Sequence, residues 1–189
     1  MWSAEMTEAG MPRANGAELT DAQRERFERL WQEHRPRIWR LVARLAGGAD
    51  LADDLTQEVS LRAFQAFGSF RGESGAFTWL YRIAVNVVNR HRERRRDLLP
   101  LDAPEVAQLP ADTACGPEPM ALQADRRAMV WSAIERLPEE MRTTLVLQVY
   151  EGLKYREVAA ILNVPVGTVK SRLNHAMRRL REEFKDHEL

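Results

Sequence analysis

The stretch EGLKYREVAAILNVPVGTVKSRLNHAMRRLR, residues 151–181, reads as two helices joined by a tight turn. Val158, Ala159 and Leu162 give the first helix an apolar face. Asn163 stands where the chain must turn, and asparagine tolerates the left-handed backbone conformation better than most residues. Pro165 suits the first position of a new helix, where its missing N–H leaves no bond unmade. Val169, Leu173, Ala176, Met177 and Leu180 then recur at helical spacing and form a stripe for burial. The other face carries Thr168, Lys170, Ser171, Arg172, Asn174, His175, Arg178 and Arg179. From Pro165 to Arg181 there are five basic residues and no acidic one. A helix of about 10–12 Å diameter with such a face fits the major groove of duplex DNA. An αα-hairpin with a solvated basic face has the same periodicity. The coincidence of turn, stripe and unbroken basic face favours a helix-turn-helix.

The 189-residue chain has room for one large domain or two small ones. Its 28 Lys and Arg balance its 28 Asp and Glu, yet the charge is unevenly placed. Between Arg82 and Arg96 there are six Arg and one Glu, and between Asp97 and Glu118 five acidic residues and no basic one. A basic surface beside an acidic connector points to a polyanion partner that the connector screens or steers; self-solvation explains the connector equally well. Cys115 is the single cysteine, so no internal disulfide forms, which fits a reducing cytosol. No apolar run approaches the roughly 18–20 residues that span a bilayer, and the N-terminus lacks a secretory apolar core. The expectation is a soluble, intracellular protein.

Residues 1–19 show no periodicity and read as a loose tail. Thr20 and Gln23 form a capping box that starts the first helix. Phe27, Leu30, Trp31, Ile38, Leu41, Val42 and Leu45 are its core stripe, and Pro36 is expected to kink it or split it in two. Gly47 and Gly48 end it. Asp50 opens the second helix, with Leu51, Leu55, Val59, Ala63 and Phe67 on the buried side. Asp53, Asp54, Gln57 and Glu58 cluster on the other side. Carboxylates in a first turn favour the helix dipole, which accounts for Asp53 and Asp54 but less well for Glu58 one turn on. A docking face for a basic partner accounts for all of them.

The third helix follows a loop bracketed by Gly72 and Gly75, with Ser74 as its candidate cap. Phe77, Leu80, Ile83, Ala84 and Val87 form its core face. Trp79, Tyr81, Arg82, Asn86, Asn89 and Arg90 bring aromatic and polar groups beside the arginine run. Flat rings with guanidinium groups nearby are what unstacked bases need. For Trp79 or Tyr81 taken singly, ordinary core packing is the better explanation. Residues 98–118 hold Pro100, Pro104, Pro110 and Pro117, with Pro119 just beyond, and no helical stripe, so they read as a linker between domains 20–97 and 119–189. In the second domain Leu122, Met129, Val130, Ala133, Ile134 and Leu137 line one helix. Pro138 opens the next, with Met141, Leu145 and Val149 in period, and Gly152 ends it.

Three strings carry a family resemblance: DDLTQEVSLRAF (53–64), FRGESGAFTWLYRIAVN (70–86) and LPEEMRTTLVLQVYEGLKYREVAAILNVPVGTVKSRL (137–173). In this order across a short linker they resemble a bacterial RNA polymerase sigma factor of the extracytoplasmic-function (ECF) group. The resemblance implies an all-α fold of two small helical domains, sigma domain 2 and sigma domain 4, and a subunit that recruits core RNA polymerase to promoters. It implies that Asp53, Asp54, Gln57 and Glu58 meet the clamp helices of the largest polymerase subunit, with the flap of the second-largest subunit as a further partner. It implies a reader of the melted −10 element built from Arg71, Gly72, Glu73, Ser74, Trp79, Arg82, Asn86 and Arg90. Thr168, Lys170, Ser171, Asn174, His175, Arg178 and Arg179 resemble the −35 reader. Arg90 replaces the Asp or Asn usual in the group, and His175 replaces a frequent Arg. An anti-sigma factor is implied as regulator.

No enzyme is expected, and no cofactor or metal. His34, His91, His175 and His187 are isolated, Cys115 has no partner, and no phosphate-cradling glycine loop is present. The alternative reading is a two-domain helix-turn-helix regulator that binds duplex DNA without recruiting polymerase. It explains 151–181 but leaves the glycine loop, aromatics and arginine run of the first domain without a task.

Overall fold

The computed structural model describes residues 19–70, 75–98 and 120–185, with backbone alone at 96–98 and 120–125. Regular structure there is entirely helical: α1 Asp21–Ala46, α2 Ala52–Phe67, α3 Ala76–Leu98, α4 Met120–Glu135, α5 Glu139–Leu145, α6 Tyr155–Leu162 and α7 Val166–Glu183. Two compact units result, one holding α1–α3 and one α4–α7. This is the expected all-α class. The expected tail before Leu19, the cap Ser74, and the linker from 99 onward lie outside the described residues; Leu98 still belongs to α3.

In the first unit α1, α2 and α3 pack against one another pairwise. The capping box forms: Thr20 N donates to Gln23 Oε1 at 2.9 Å, and Gln23 N to Thr20 Oγ1 at 3.3 Å. Two first-turn donors are thereby satisfied. Leu19, expected in the tail, is buried, and a Cβ at Gly68 would lie 3.4 Å from its Cδ2. The split into two helices expected at Pro36 does not occur: α1 runs as one helix from Asp21 to Ala46. Proline removes the donor for the carbonyl four residues back, but Gln32 and Pro36 are both exposed, so water can serve that carbonyl. Gly47, at φ +86°, then ends the helix.

Helix α2 starts at Ala52, one residue later than expected, with no side-chain cap at Leu51. Asp53 and Asp54 in its first turn complement the dipole instead. An aromatic cluster joins the helices. Phe27 meets Phe64 and Phe67 edge-on at 5.3 and 5.4 Å between ring centres, and Phe67 continues to Phe70 and Trp79.

In the second unit α7 packs on α4, α5 and α6. On α4 the expected stripe residue Met129 is exposed, and Trp131 is buried in its stead. The indole sits edge-on to Tyr150 at 5.5 Å, and its Nε1 donates to Glu135 Oε1 at 3.1 Å. The larger apolar group takes the inward position because its polar atom also finds a partner. After α5 the chain widens into a π turn, Val146–Tyr150. Glu151 N donates to Val146 O at 3.1 Å, five residues back. This extra residue per turn rotates Val149 off the Met141–Leu145 stripe and into solvent, at 55% exposure. Gly152, at φ +67°, closes the turn.

The helix-turn-helix forms as read. Asn163 adopts φ 54°, ψ 46°, the left-handed conformation. Three details differ. Ile161, not Leu162, is the buried residue at the end of α6. Pro165 caps α7 from one position earlier than expected, and its carbonyl accepts from Thr168 N at 2.9 Å and Val169 N at 3.3 Å. Met177 is exposed, because Val169, Leu173, Ala176 and Leu180 already fill the inward row of α7.

Candidate nucleic-acid interface

Helix α7 has 18 residues and is about 27 Å long. Its inward row fixes which residues face out. Lys170, Ser171, Asn174, His175, Arg178 and Arg179 are all exposed, and Thr168 is half-buried. Helical spacing arranges them in parallel rows: Thr168, His175 and Arg179; Ser171 and Arg178; Lys170 and Asn174. Arg181 is exposed on the last row and extends it, a residue the charge count included but the site assignment missed. The Ser171 hydroxyl donates to Thr168 O at 3.0 Å, so it turns its lone pairs outward as an acceptor. Amide, ammonium, imidazole and guanidinium groups beside it provide both donors and acceptors for base edges and phosphates.

Arg172 leaves this face. Its Nη2 donates to Glu140 Oε2 at 2.6 Å, and its side chain is only 19% exposed. Counting positive charges along 165–181 cannot detect that, since the partner lies 32 residues away.

In the first unit Asp53, Asp54 and Gln57 are exposed on α2, while Glu58 is half-buried and paired with Arg62 one turn on. Asp53 is aimed by α1: Trp39 Nε1 donates to its Oδ1 at 2.8 Å. Leu61, 57% exposed, lies seven residues after Asp54 and shares its face. The sequence reading passed over it. Its signal was an apolar residue falling outside the Leu55–Val59–Ala63 stripe.

The expected aromatic reader on α3 turns inward. Trp79 is 7% exposed and stacks on Phe70 at 4.7 Å between ring centres; Tyr81 is 1% exposed and lies 4.1 Å from Phe77. Core packing, the alternative for each ring, is what both do. Arg82 is also buried, and loss of water pulls its guanidinium pKa below the usual arginine value. Asn86, Asn89 and Arg90 are half-buried. Arg71, Gly72, Glu73 and Ser74 lie outside the described residues. The Phe70–Trp79 stack ties together the two chain segments that flank 71–74. Gly75 follows at φ +34°, where a side chain would be strained.

Among the described residues no three His, Cys, Asp or Glu side chains gather as a metal site, and no helix is long and apolar enough to cross a membrane.

The family described as Sigma-70 region 2 matches residues 30–97, and Sigma-70, region 4 matches residues 127–180. The RNA polymerase sigma-H factor of Pseudomonas aeruginosa is 37% identical over 157 residues, covering 79% of this chain and 81% of the relative. The ECF RNA polymerase sigma-E factor of Escherichia coli K12 is 37% identical over 157 residues, covering 79% and 82%. Among solved structures, the sigma factor RpoE of Bartonella quintana, in complex with the anti-sigma factor NepR, is similar with a TM-score of 0.65 and 25% identity, covering 87% of this chain and 99% of that one. CnrH in complex with the cytosolic domain of CnrY has the same fold, with a TM-score of 0.61 and 22% identity over 93% and 94% of the two chains.

Proposed function

The chain belongs to the extracytoplasmic-function sigma factors, non-catalytic RNA polymerase subunits that direct promoter-specific initiation, and from that premise we propose how its two units divide the task. Polymerase binding comes with the family, so the alternative of a regulator that never recruits polymerase is set aside. The observation that carries the division of labour is the exposed α7 face, basic and without a carboxylate until Glu182.

That face reads the −35 element as intact duplex. Lys170, Ser171, Asn174 and His175 meet base edges, while Arg178 and Arg179 hold phosphates and fix the register. Thr168, at the start of the helix, approaches the backbone with its side chain. Elsewhere in this unit the exposed Val149 and Tyr150 offer an apolar contact to the flap of the second-largest subunit.

The first unit docks on polymerase and handles the −10 element as single strand. Asp53, Asp54, Gln57, Glu58 and Leu61 form one acidic face with an apolar centre, suited to a basic partner such as the clamp helices. Arg71, Gly72, Glu73, Ser74, Asn86 and Arg90 take the unpaired bases, and Trp79 and Arg82 serve beneath them as buried supports. Unpairing and extruding a base costs on the order of a few kcal/mol. Base capture and polymerase docking offset that cost. Arg90 adds a phosphate contact that Asp or Asn could not.

The protein acts in the cytoplasm, where polymerase works. An anti-sigma factor holds it inactive, as the complex of the similar RpoE with NepR suggests. Run-off transcription with purified core polymerase tests the whole: the expected outcome is a transcript from a promoter of its own genome, lost when the −35 element is scrambled. No transcript from any promoter fragment, with intact helical content, overturns it.

A further inference from the structure

Two ion pairs tie α7 to the corner between α4 and α5, and they have opposite polarity. At the corner Arg136 pairs with Glu183, its Nε donating to Glu183 Oε1 at 2.8 Å and its Nη2 to the same oxygen. Four residues on, Glu140 accepts from Arg172 at 2.6 Å. On α7 the two partners are eleven residues apart, three helical turns or about 16 Å, and so lie on one flank. The corner grips that flank at the middle of the recognition helix and at its C-terminal end.

The corner is itself stiff. The Arg142 side chain is buried, and its Nη1 donates to Glu135 O at 3.0 Å, across the bend. Arg136 Nη1 donates to Ser132 Oγ at 2.7 Å, which holds the guanidinium plane toward α7. Thr144 Oγ1 donates to Glu140 O at 2.6 Å. Neither ion pair uses a residue of the Ser171–Asn174–Arg178 face.

We propose that Arg136 and Glu140 are positioning residues for duplex readout: the corner fixes the roll of α7 about its own axis. The inward row of Val169, Leu173, Ala176 and Leu180 sets the depth of the helix but resists roll weakly, because apolar contacts are not directional. Charged hydrogen bonds at two points three turns apart, Arg172 and Glu183, supply the direction. Roll matters for reading. A rotation of about 20° moves a side-chain tip on a helix of this radius by roughly 2 Å, more than a hydrogen bond to a base edge tolerates. Phosphate contacts survive such a shift, because they are longer-range and carry no sequence information. Loosening the corner therefore lowers affinity for the matched duplex while sparing affinity for a mismatched one, a signature that simple loss of stability does not produce.

This rests on α7 being the −35 reader, and the test separates the two claims. Holoenzyme reconstituted with the full chain is titrated with a promoter duplex and with the same duplex carrying one changed −35 base pair. The ratio of affinities is the readout. Arg136→Glu and Glu183→Arg are each expected to lower that ratio about threefold to tenfold, with binding to the altered duplex nearly unchanged. The double charge swap, Arg136→Glu with Glu183→Arg, restores the ratio to within about twofold. Asn174→Ala serves as the control and lowers the ratio if α7 is the −35 reader, whatever the corner does. A lowered ratio in Asn174→Ala but not in the corner variants overturns the positioning role alone. A double swap no better than the worse single variant also overturns it. An unchanged ratio in all variants removes the −35 assignment together with it.

Discussion

The two units present their functional groups in opposite ways. In the second unit the side chains assigned to DNA, all but the half-buried Thr168, stand exposed on one helix, set by the row of apolar residues behind them. In the first unit Trp79 and Tyr81 of α3 are folded into the core, and Asn86, Asn89 and Arg90, which the −10 reading draws on, are half-buried. The difference matches the two forms of DNA that the proposed roles assign to the units. Intact duplex offers base edges in a groove of fixed shape, and a rigid helix reads them without deforming them. Unpaired bases bring their own flat faces and must be received one at a time, so the receiving site is built over a firm base. In the proposed reading the Phe70–Trp79 stack, which joins the segments on either side of 71–74, supplies that base.

The largest expected effect breaks the comparison at its polymerase contact. Asp54→Arg with Glu58→Arg reverses two charges on the α2 face while leaving the Leu55–Val59–Ala63 row alone. Truncating one partner of a desolvated interface charge pair costs about 2–5 kcal/mol, so reversal of both should weaken core binding by roughly two orders of magnitude or more. Affinity for core polymerase measured by fluorescence anisotropy, with circular dichroism as the fold control, checks this. Unchanged affinity would move docking off α2.

A smaller effect belongs to the duplex reader. Asn174→Ala removes an exposed amide that can both donate and accept, and a good bidentate base contact is worth about 1–3 kcal/mol of discrimination. The −35 preference should fall by roughly 5- to 150-fold at one base pair. The smallest effect is that of Arg178→Ala. It should weaken binding about equally on all sequences and reduce the magnitude of the log K against log salt slope by roughly 0.9, the value for one phosphate on duplex DNA. An unchanged slope would put Arg178 on a solvated face.

Much of this architecture was legible in local patterns. The Thr20–Gln23 capping box and the left-handed turn at Asn163 depend on residues a few positions apart, so their chemistry is visible in the chain itself. What escaped involves competition between distant parts. Periodicity placed Met177 and Val149 inward. The first lost its place to a row already filled, and the second to a π turn that shifts the phase. Pro36 reads as a break, but the groups it frees face solvent. In the candidate site the exposed face of α7 followed directly from helical spacing. The removal of Arg172 by Glu140 did not, nor did the aiming of Asp53 by Trp39, because both depend on helices meeting. The inward turn of Trp79 and Tyr81 is of the same kind: aromatic residues beside an arginine run serve a core as readily as a base.

The division between duplex and single-strand reading is tested most directly by run-off transcription from two templates, one fully paired and one with the −10 region mismatched so that it is already open. Asn86→Ala with Arg90→Ala should reduce transcription from the paired template and recover substantially on the open one, since the cost of unpairing is removed. Asn174→Ala should stay defective to the same degree on both, because its target remains duplex. Equal recovery of the two variants on the open template, or no recovery of either, would mean that the units do not read different forms of DNA.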